Sequence, residues 1–202
     1  MTLLKNKVLY VGTDPSRFSA ARDLVHCPLI ETRPLPICDS IRRDFDAFTH
    51  VILTSPNAAR ILASQMPLHI KKVLAIGVGT AEQIRCRCFA TASPETQEGM
   101  IDLLEKLPLE NSYLFYPRSS LARPLLATYL KERGLRHQTY DLYETVYLKP
   151  HPLPLMDDFD EIVFTSPSTI KAFLALYGSL PKNKKFTCVG PITEQALLIL
   201  KR

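Results

Sequence analysis

The chain has 202 residues, 46% hydrophobic and 22% charged, enough apolar material for a sizeable core in one large domain or two small ones. Its apolar runs fall far short of the roughly 20 residues that cross a bilayer as a helix, so no membrane-spanning helix is expected. The net charge of +5 is spread along the chain, with no basic run beyond KNKK at 182–185; a nucleic-acid protein would more often gather its charge on one face or arm, and so mild an excess fits an acidic small-molecule substrate equally well, or no charged partner in particular.

In chain order, MTLLKNKVLYVG has a short apolar stretch and no small-residue cleavage site, so it reads as a first strand over 8–12 and not a signal peptide. A helix is expected over 16–24. The proline-rich CPLIETRPLPI (27–37) suits an extended connector. VILTSPNAARILA then gives a buried parallel strand at 51–53, a Ser-Pro that offers a cap and a first helical proline, and a helix over 58–65. VLAIGVGTAEQI (73–84) is another strand, with Gly77 for the turn and Thr80 as the expected cap. It is a plain turn and not a dinucleotide fingerprint, because Glu82 stands where the third glycine belongs. YLFYP (113–117) is a strand before a helix over 121–133, and YETVYLKPHPLPL (143–155) is a second proline-rich connector. IVFTSPSTIKAFL repeats the strand, Ser-Pro and helix at 162–164 and 169–177, and FTCVGPITEQAL (186–197) repeats the glycine turn with Gly190 and Thr193.

The two Thr-Ser-Pro turns are offset by 111 residues and the two Gly-x-x-Thr turns by 113, in the same order, which predicts two similar half-structures. Alternating strands and helices mean open, parallel α/β sheets whose ligands bind at the carboxyl ends of the strands, where all four turns should lie. The connectors bracket the first copy. The expected domains are therefore a discontinuous lobe of 1–33 with 147–202 and a second lobe of 37–142, with 27–37 and 143–155 side by side as an antiparallel linker.

Turns of this kind present free N–H groups, the positive end of a helix dipole and small hydroxyl donors, a combination suited to carboxylates. The candidate binding residues are Thr54, Ser55, Thr80, Thr165, Ser166, Ser168 and Thr193, with Arg118 after the YLFYP strand as a cation. For Ser55, Thr80, Ser166 and Thr193 the plainer role is helix capping, and one hydroxyl can serve both. Arg60 and Lys171, each five residues after its serine, read as solvated helix charges. The cysteines are five in number with no C-x-x-C, Cys86-Arg-Cys88 has the wrong spacing for zinc, and the histidines show no metal spacing. Without an export signal the thiols are expected to be reduced, in a cytoplasm.

The segments FTHVILTSPNAARIL, KVLAIGVGTAEQI, YLFYPRSSLARPLLATYLKERG, YDLYETVY, DEIVFTSPSTIKAFL and FTCVGPITEQAL, in this order, resemble uroporphyrinogen-III synthase over nearly the whole chain. The resemblance implies two flavodoxin-like α/β lobes joined by a two-stranded β linker, with the active site in the cleft between them. It implies a lyase that closes hydroxymethylbilane, a linear tetrapyrrole octacarboxylate, with inversion of ring D and loss of water, on the way to heme, siroheme and cobalamin. It implies no cofactor and no metal, a monomer, and transient contact with the upstream hydroxymethylbilane synthase. In DLYETVY it points to Tyr143 as a catalytic phenol, ahead of Tyr140 and Tyr147. One departure stands out. The family's first strand ends in Thr-Arg-Pro, whereas this one ends VGTDP, with Asp14 in the arginine's place and Arg17 as the nearest substitute. Two other readings stay open: a non-catalytic two-lobed protein that binds an acidic small molecule, and a sugar-phosphate isomerase-like domain built on one larger sheet.

Overall fold

A computed structural model describes residues 7–16, 18 and 23–200. The chain opens with β1 (Lys7–Tyr10), β2 (Asp23–His26), β3 (Ile30–Pro34) and α1 (Asp39–Asp44). It continues through β4 (His50–Leu53), α2 (Pro56–Ala63), β5 (Lys72–Ala75), α3 (Val78–Ala81), β6 (Ala90–Thr91) and α4 (Gln97–Leu104). Then come β7 (Leu114–Ser119), α5 (Leu125–Glu132), β8 (His137–Tyr147), β9 (Glu161–Phe164), α6 (Pro167–Tyr177), β10 (Lys185–Cys188) and α7 (Pro191–Leu200). The strands form a four-stranded sheet ordered β10-β9-β1-β2 and a six-stranded sheet ordered β3-β8-β7-β4-β5-β6. Every pair in the first sheet is parallel, as is every pair from β8 to β6 in the second. At the β3 edge, Leu35 N–H donates to the Leu142 carbonyl and Leu148 N–H to that of Leu29, both at 2.9 Å. The residue numbers run in opposite directions, so this pairing is antiparallel.

Two compact units result, residues 1–32 with 145–202 and residues 33–144. The chain leaves the first unit within β3 and returns to it within β8. In the second unit the inner strand β4 is buried throughout, and apolar from Val51 to Leu53, because both faces of its sheet are covered. Val51 and Leu53 point to a cluster holding Phe45, Phe48 and Phe115, and Ile52 points the other way, to Leu74, Met100, Tyr116, Leu126 and Leu130. The first unit alternates likewise: Ile162 and Phe164 of β9 pack with Leu9, Val11 and Phe173, and Val163 packs with Val8 and Tyr10. Each such side chain contributes about 1.5–3 kcal/mol on burial.

Three details differ from the sequence expectations. Asp23 and Leu24 belong to β2 and not to a helix, and most of the expected helix over 16–24 lies outside the described residues. The helix expected from 121 starts at Leu125, because Pro124 lacks the N–H that an earlier start would need and takes the N-cap position instead. The duplication is also finer than two whole half-structures. Its first copy is β4-α2-β5-α3, the opening half of the second unit's doubly wound sheet, and its second is β9-α6-β10-α7, the closing half of the first unit's. Among the described residues, no helix is long and apolar enough to cross a membrane.

Candidate active site

In an open parallel sheet the ligand crevice lies at the carboxyl ends of the strands, where the strand order reverses. In the second unit that point falls between β4 and β7, and in the first unit between β1 and β9.

At the second unit's switch point, β4 ends in Thr54 and Ser55. Ser55 is extended (φ −160°, ψ 151°), Pro56 follows at the start of α2, and the Ser55 hydroxyl accepts the Ala58 N–H at 3.0 Å. That hydroxyl also shares a hydrogen bond of 2.9 Å with the Tyr143 phenol from β8. Thr54 Oγ1 donates to the Tyr116 hydroxyl from β7 at 3.5 Å, the outer limit for such a bond. Two phenols thus hold two successive residues of one turn. Gln97, at the start of α4, braces the same spot: its Nε2 lies 3.5 Å from the Tyr116 hydroxyl and donates to the Arg123 carbonyl at 3.3 Å, and its Oε1 accepts the Leu126 N–H at 3.2 Å.

The cations here are already paired. Arg118 Nε meets Asp141 Oδ1 at 3.1 Å, and Arg123 forks onto both oxygens of Glu98 at 2.8 and 3.0 Å. The forked bond from Arg123 is the main reason the Glu98 carboxyl sits at about 2. Burial pushes the Tyr143 phenol above its ordinary value, against bonds from Ser55 and Ser119. It does the same to Tyr116, against the Thr54 bond and the nearby charges of Arg118 and Arg123. Both phenols are therefore neutral proton holders at physiological pH. The Ser55–Tyr143 pair has two hydroxyl protons and uses one in its own bond, which leaves the other to be donated onward.

At the first unit's switch point, β9 ends in Thr165 and Ser166. Ser166 is again extended, with Pro167 next, and its hydroxyl accepts the Thr169 N–H at 3.4 Å. Thr169 Oγ1 returns the favour, accepting the N–H groups of Thr165 and Ser166 at 3.2 and 3.3 Å and donating to the Ser166 carbonyl at 2.7 Å. Ser168 is half-buried in the first turn of α6. Across the switch point, Gly12 follows β1, and a β-carbon there would lie 2.5 Å from Thr165 Cγ2, so the close approach needs glycine. The turn beyond is tied down by Tyr10, whose hydroxyl donates to the Asp14 carbonyl at 2.6 Å, and by Asp14 Oδ1, which accepts the Ser16 N–H at 2.9 Å. Arg17 lies outside the described residues.

The sequence candidates therefore fall into groups. Thr54, Ser55, Arg118 and Tyr143 come together in the second unit, and Thr165, Ser166 and Ser168 in the first. Thr80 and Thr193 are not caps: each helix begins directly after the glycine turn, so the threonine falls inside its first turn and is buried. Thr193 Oγ1 donates to the Val189 carbonyl at 3.1 Å. The two glycines also differ: Gly190 has φ +86°, which the absence of a β-carbon permits, whereas Gly77, at φ 174°, is merely extended. Arg60, Lys171 and Tyr147 are exposed, and the Tyr140 hydroxyl donates to the Pro36 carbonyl at 2.6 Å. Tyr116, Gln97, Arg123 and Glu98 were not foreseen. A signal existed for Tyr116 alone, since it lies two residues before Arg118 on one strand and so shares its face. Among the described residues no group of His, Cys, Asp and Glu could hold a metal ion. A hollow of about 740 Å³ in the first unit, lined by Leu180, Lys182, Lys184, Phe186 and Leu200 among others, opens at the amino end of β10, away from the switch point.

A family model described as uroporphyrinogen-III synthase HemD matches residues 20–201. The fold is similar to that of a mutant uroporphyrinogen III synthase from Thermus thermophilus (20% identity, 96% of this chain and 89% of that one, TM-score 0.67). It is also similar to that of uroporphyrinogen-III synthetase from Helicobacter pylori (23% identity, 97% of this chain and 88% of that one, TM-score 0.65).

Proposed function

The chain belongs to the uroporphyrinogen-III synthase family, and on that premise we propose how its residues serve that family's reaction, the closure of hydroxymethylbilane with inversion of ring D and loss of water. The family is one of cyclising lyases in tetrapyrrole synthesis. We infer two flavodoxin-like lobes joined by β3 and β8. The inference is supported by the crossings within those two strands and by the first unit's order, second-first-third-fourth, of β2-β1-β9-β10; the second unit keeps the same four-strand centre, β5-β4-β7-β8, and adds β6 as an edge strand beyond β5. We further propose a cytoplasmic monomer that meets hydroxymethylbilane synthase transiently; its five free thiols suit a reducing compartment.

Acetate and propionate carboxylates of the bilane are received by the N–H groups and hydroxyls of Thr54, Ser55, Thr165, Ser166 and Ser168, with Arg118 as a cation. Thr80 and Thr193 act through the glycine turns they stabilise, since their side chains are buried. Tyr143 gives its proton to the terminal hydroxyl of the substrate, the C–O bond breaks, and water leaves. The azafulvenium carbon is then attacked by the substituted α-carbon of ring D to give a spiro intermediate. The bond from that carbon to the ring C methylene breaks, and the unsubstituted α-carbon of ring D takes up the freed methylene and so inverts the ring. The proton that this carbon loses on rearomatisation returns to the phenolate. Ser55 fixes the direction of that phenol. The 2.9 Å bond between Tyr143 and Ser55 at the switch point carries this reading, because it aims a neutral acid where a doubly wound sheet binds its ligand.

The test is to supply freshly made hydroxymethylbilane and separate the type III product from the type I isomer that forms spontaneously. Wild-type protein is expected to give type III, and Tyr143→Phe to lose about 10-fold or more of that rate, within the range of a general acid. Type I alone from the wild type would overturn the assignment of activity. Full activity in Tyr143→Phe would overturn only the role of the phenol.

A further inference from the structure

Arg123 stands just before Pro124 on the loop from β7 to α5, and its guanidinium forks onto Glu98 with both bonds at 3.0 Å or less. The loop is held at the switch point by Gln97, whose Nε2 reaches both the Arg123 carbonyl and the Tyr116 hydroxyl, the latter bonded in turn to Thr54. A carboxylate-binding fork is therefore fixed beside the Thr-Ser-Pro turn, with a carboxylate of the protein itself seated in it.

Two features make that carboxylate exchangeable. The side chains of Arg123 and Glu98 are 42% and 53% exposed, and an ion pair this wet adds little stability. Glu98 also has other partners. It sits in the first turn of α4, where the helix dipole favours an anion, and its own backbone N–H and the Thr96 side chain bond it as well. Losing Arg123 would not strand it. Arg123, once free, offers a planar pair of donors matched to another carboxylate.

We propose that Arg123 is a receptor for one carboxylate of the linear tetrapyrrole, exchanging Glu98 for it when substrate binds. The proposal rests on the family reading of the substrate, and the two fail separately. If wild-type protein forms no type III product, the family reading of the activity is at fault. With an active wild type, the receptor predicts opposite signs for its two members. Glu98→Gln removes the competing carboxylate and lowers KM for hydroxymethylbilane about 3-fold, and Arg123→Gln raises it about 5-fold. A pair that merely braces the loop would move KM the same way in both variants, because each breaks the same bond. Shifts in one direction, or none in either, overturn the receptor. Should Arg123→Gln fail to fold, Glu98→Gln decides alone, a lower KM supporting the exchange and an equal or higher one refuting it.

Discussion

Removing the Ser55 hydroxyl takes two bonds from the second unit at once. The Ala58 N–H loses its acceptor at 3.0 Å, and the Tyr143 phenol loses its partner at 2.9 Å. A lost N-cap of this type costs about 1 kcal/mol. A buried hydroxyl left without its partner costs about 1–3 kcal/mol, and because Ser119 also bonds Tyr143 the lower end applies. Ser55→Ala should then cost about 2 kcal/mol. Tyr143→Phe keeps the cap and loses only the shared bond, about 1 kcal/mol. In the double variant no phenol remains to be stranded, so only the cap's roughly 1 kcal/mol should be lost, and the coupling against the two single variants should be about 2 kcal/mol. The chain has no tryptophan, so unfolding can be followed by tyrosine fluorescence beside circular dichroism. At this size, about 1 kcal/mol moves Tm by roughly 2–4 °C. If Tyr143→Phe costs the same with and without Ser55, the bond does not exist in solution, and the orientation of the acid has lost its basis.

The remaining predictions test the electrostatics and the backbone. Burial raises the Tyr143 and Tyr116 phenols, so the folded protein holds those protons more tightly than the unfolded chain; their stabilisation is full below about pH 10 and is lost as pH climbs through the folded values. Unfolding profiles should fall less steeply above about pH 10 in Tyr143→Phe and Tyr116→Phe than in wild type, and identical slopes would count against burial of the phenols. Glu98 should titrate by carbon NMR at about 2, and Arg123→Gln should return it only part of the way upward, since Thr96 and the backbone N–H remain; an unchanged midpoint would mean that the pair does not form. Its contribution to stability, present above its ordinary value of 4.5 and lost as pH falls toward 2, should be small because the pair is wet. Gly190→Ala forces a β-carbon onto φ +86° and should cost about 1–2 kcal/mol. Gly77→Ala, at φ 174°, must displace the flexible, exposed Glu95 side chain and its 3.2 Å bond from the Val78 N–H, and should cost less, about 0.5–1 kcal/mol; equal melting shifts would refute the distinction.

What the sequence announced was local. The strands at 51–53 and 162–164 are unbroken apolar runs because both faces of their sheets are covered, and Ser55 and Ser166 cap their helices with Pro56 and Pro167 at the first helical position, where a fixed φ and a missing N–H cost nothing. What it withheld was set by distance along the chain. Tyr116 meets Thr54 over 62 residues and Gln97 meets Leu126 over 29, and no short-range pattern encodes either bond. Gly-x-x-Thr resembles the approach to a helix and so predicts Thr80 and Thr193 as caps, yet each helix starts directly after the glycine turn and takes the threonine into its first turn.

The repeat shows how local pattern and topology fit together. A doubly wound sheet has two inner strands flanking its switch point, so the two units have four: β1, β9, β4 and β7. Three of them run into Thr-x-Pro, at Thr13-Asp14-Pro15, Thr54-Ser55-Pro56 and Thr165-Ser166-Pro167. In each the middle side chain accepts a backbone N–H two or three residues on: Ser16 at 2.9 Å from Asp14, Ala58 at 3.0 Å from Ser55, Thr169 at 3.4 Å from Ser166. Asp14, which stands where the family has an arginine, therefore holds its turn through a side-chain-to-backbone bond, as the two serines hold theirs. The fourth inner strand, β7, departs from the pattern and ends in Pro117-Arg118-Ser119. Three inner strands end in capped, uncharged or acidic turns, and the fourth brings Arg118, with Arg123 on the loop that follows. Among the described residues, Arg118 and Arg123 gather beside the switch point that also holds the buried phenols Tyr116 and Tyr143, so the proposed carboxylate receptor and the proposed acid share a single edge of the second unit.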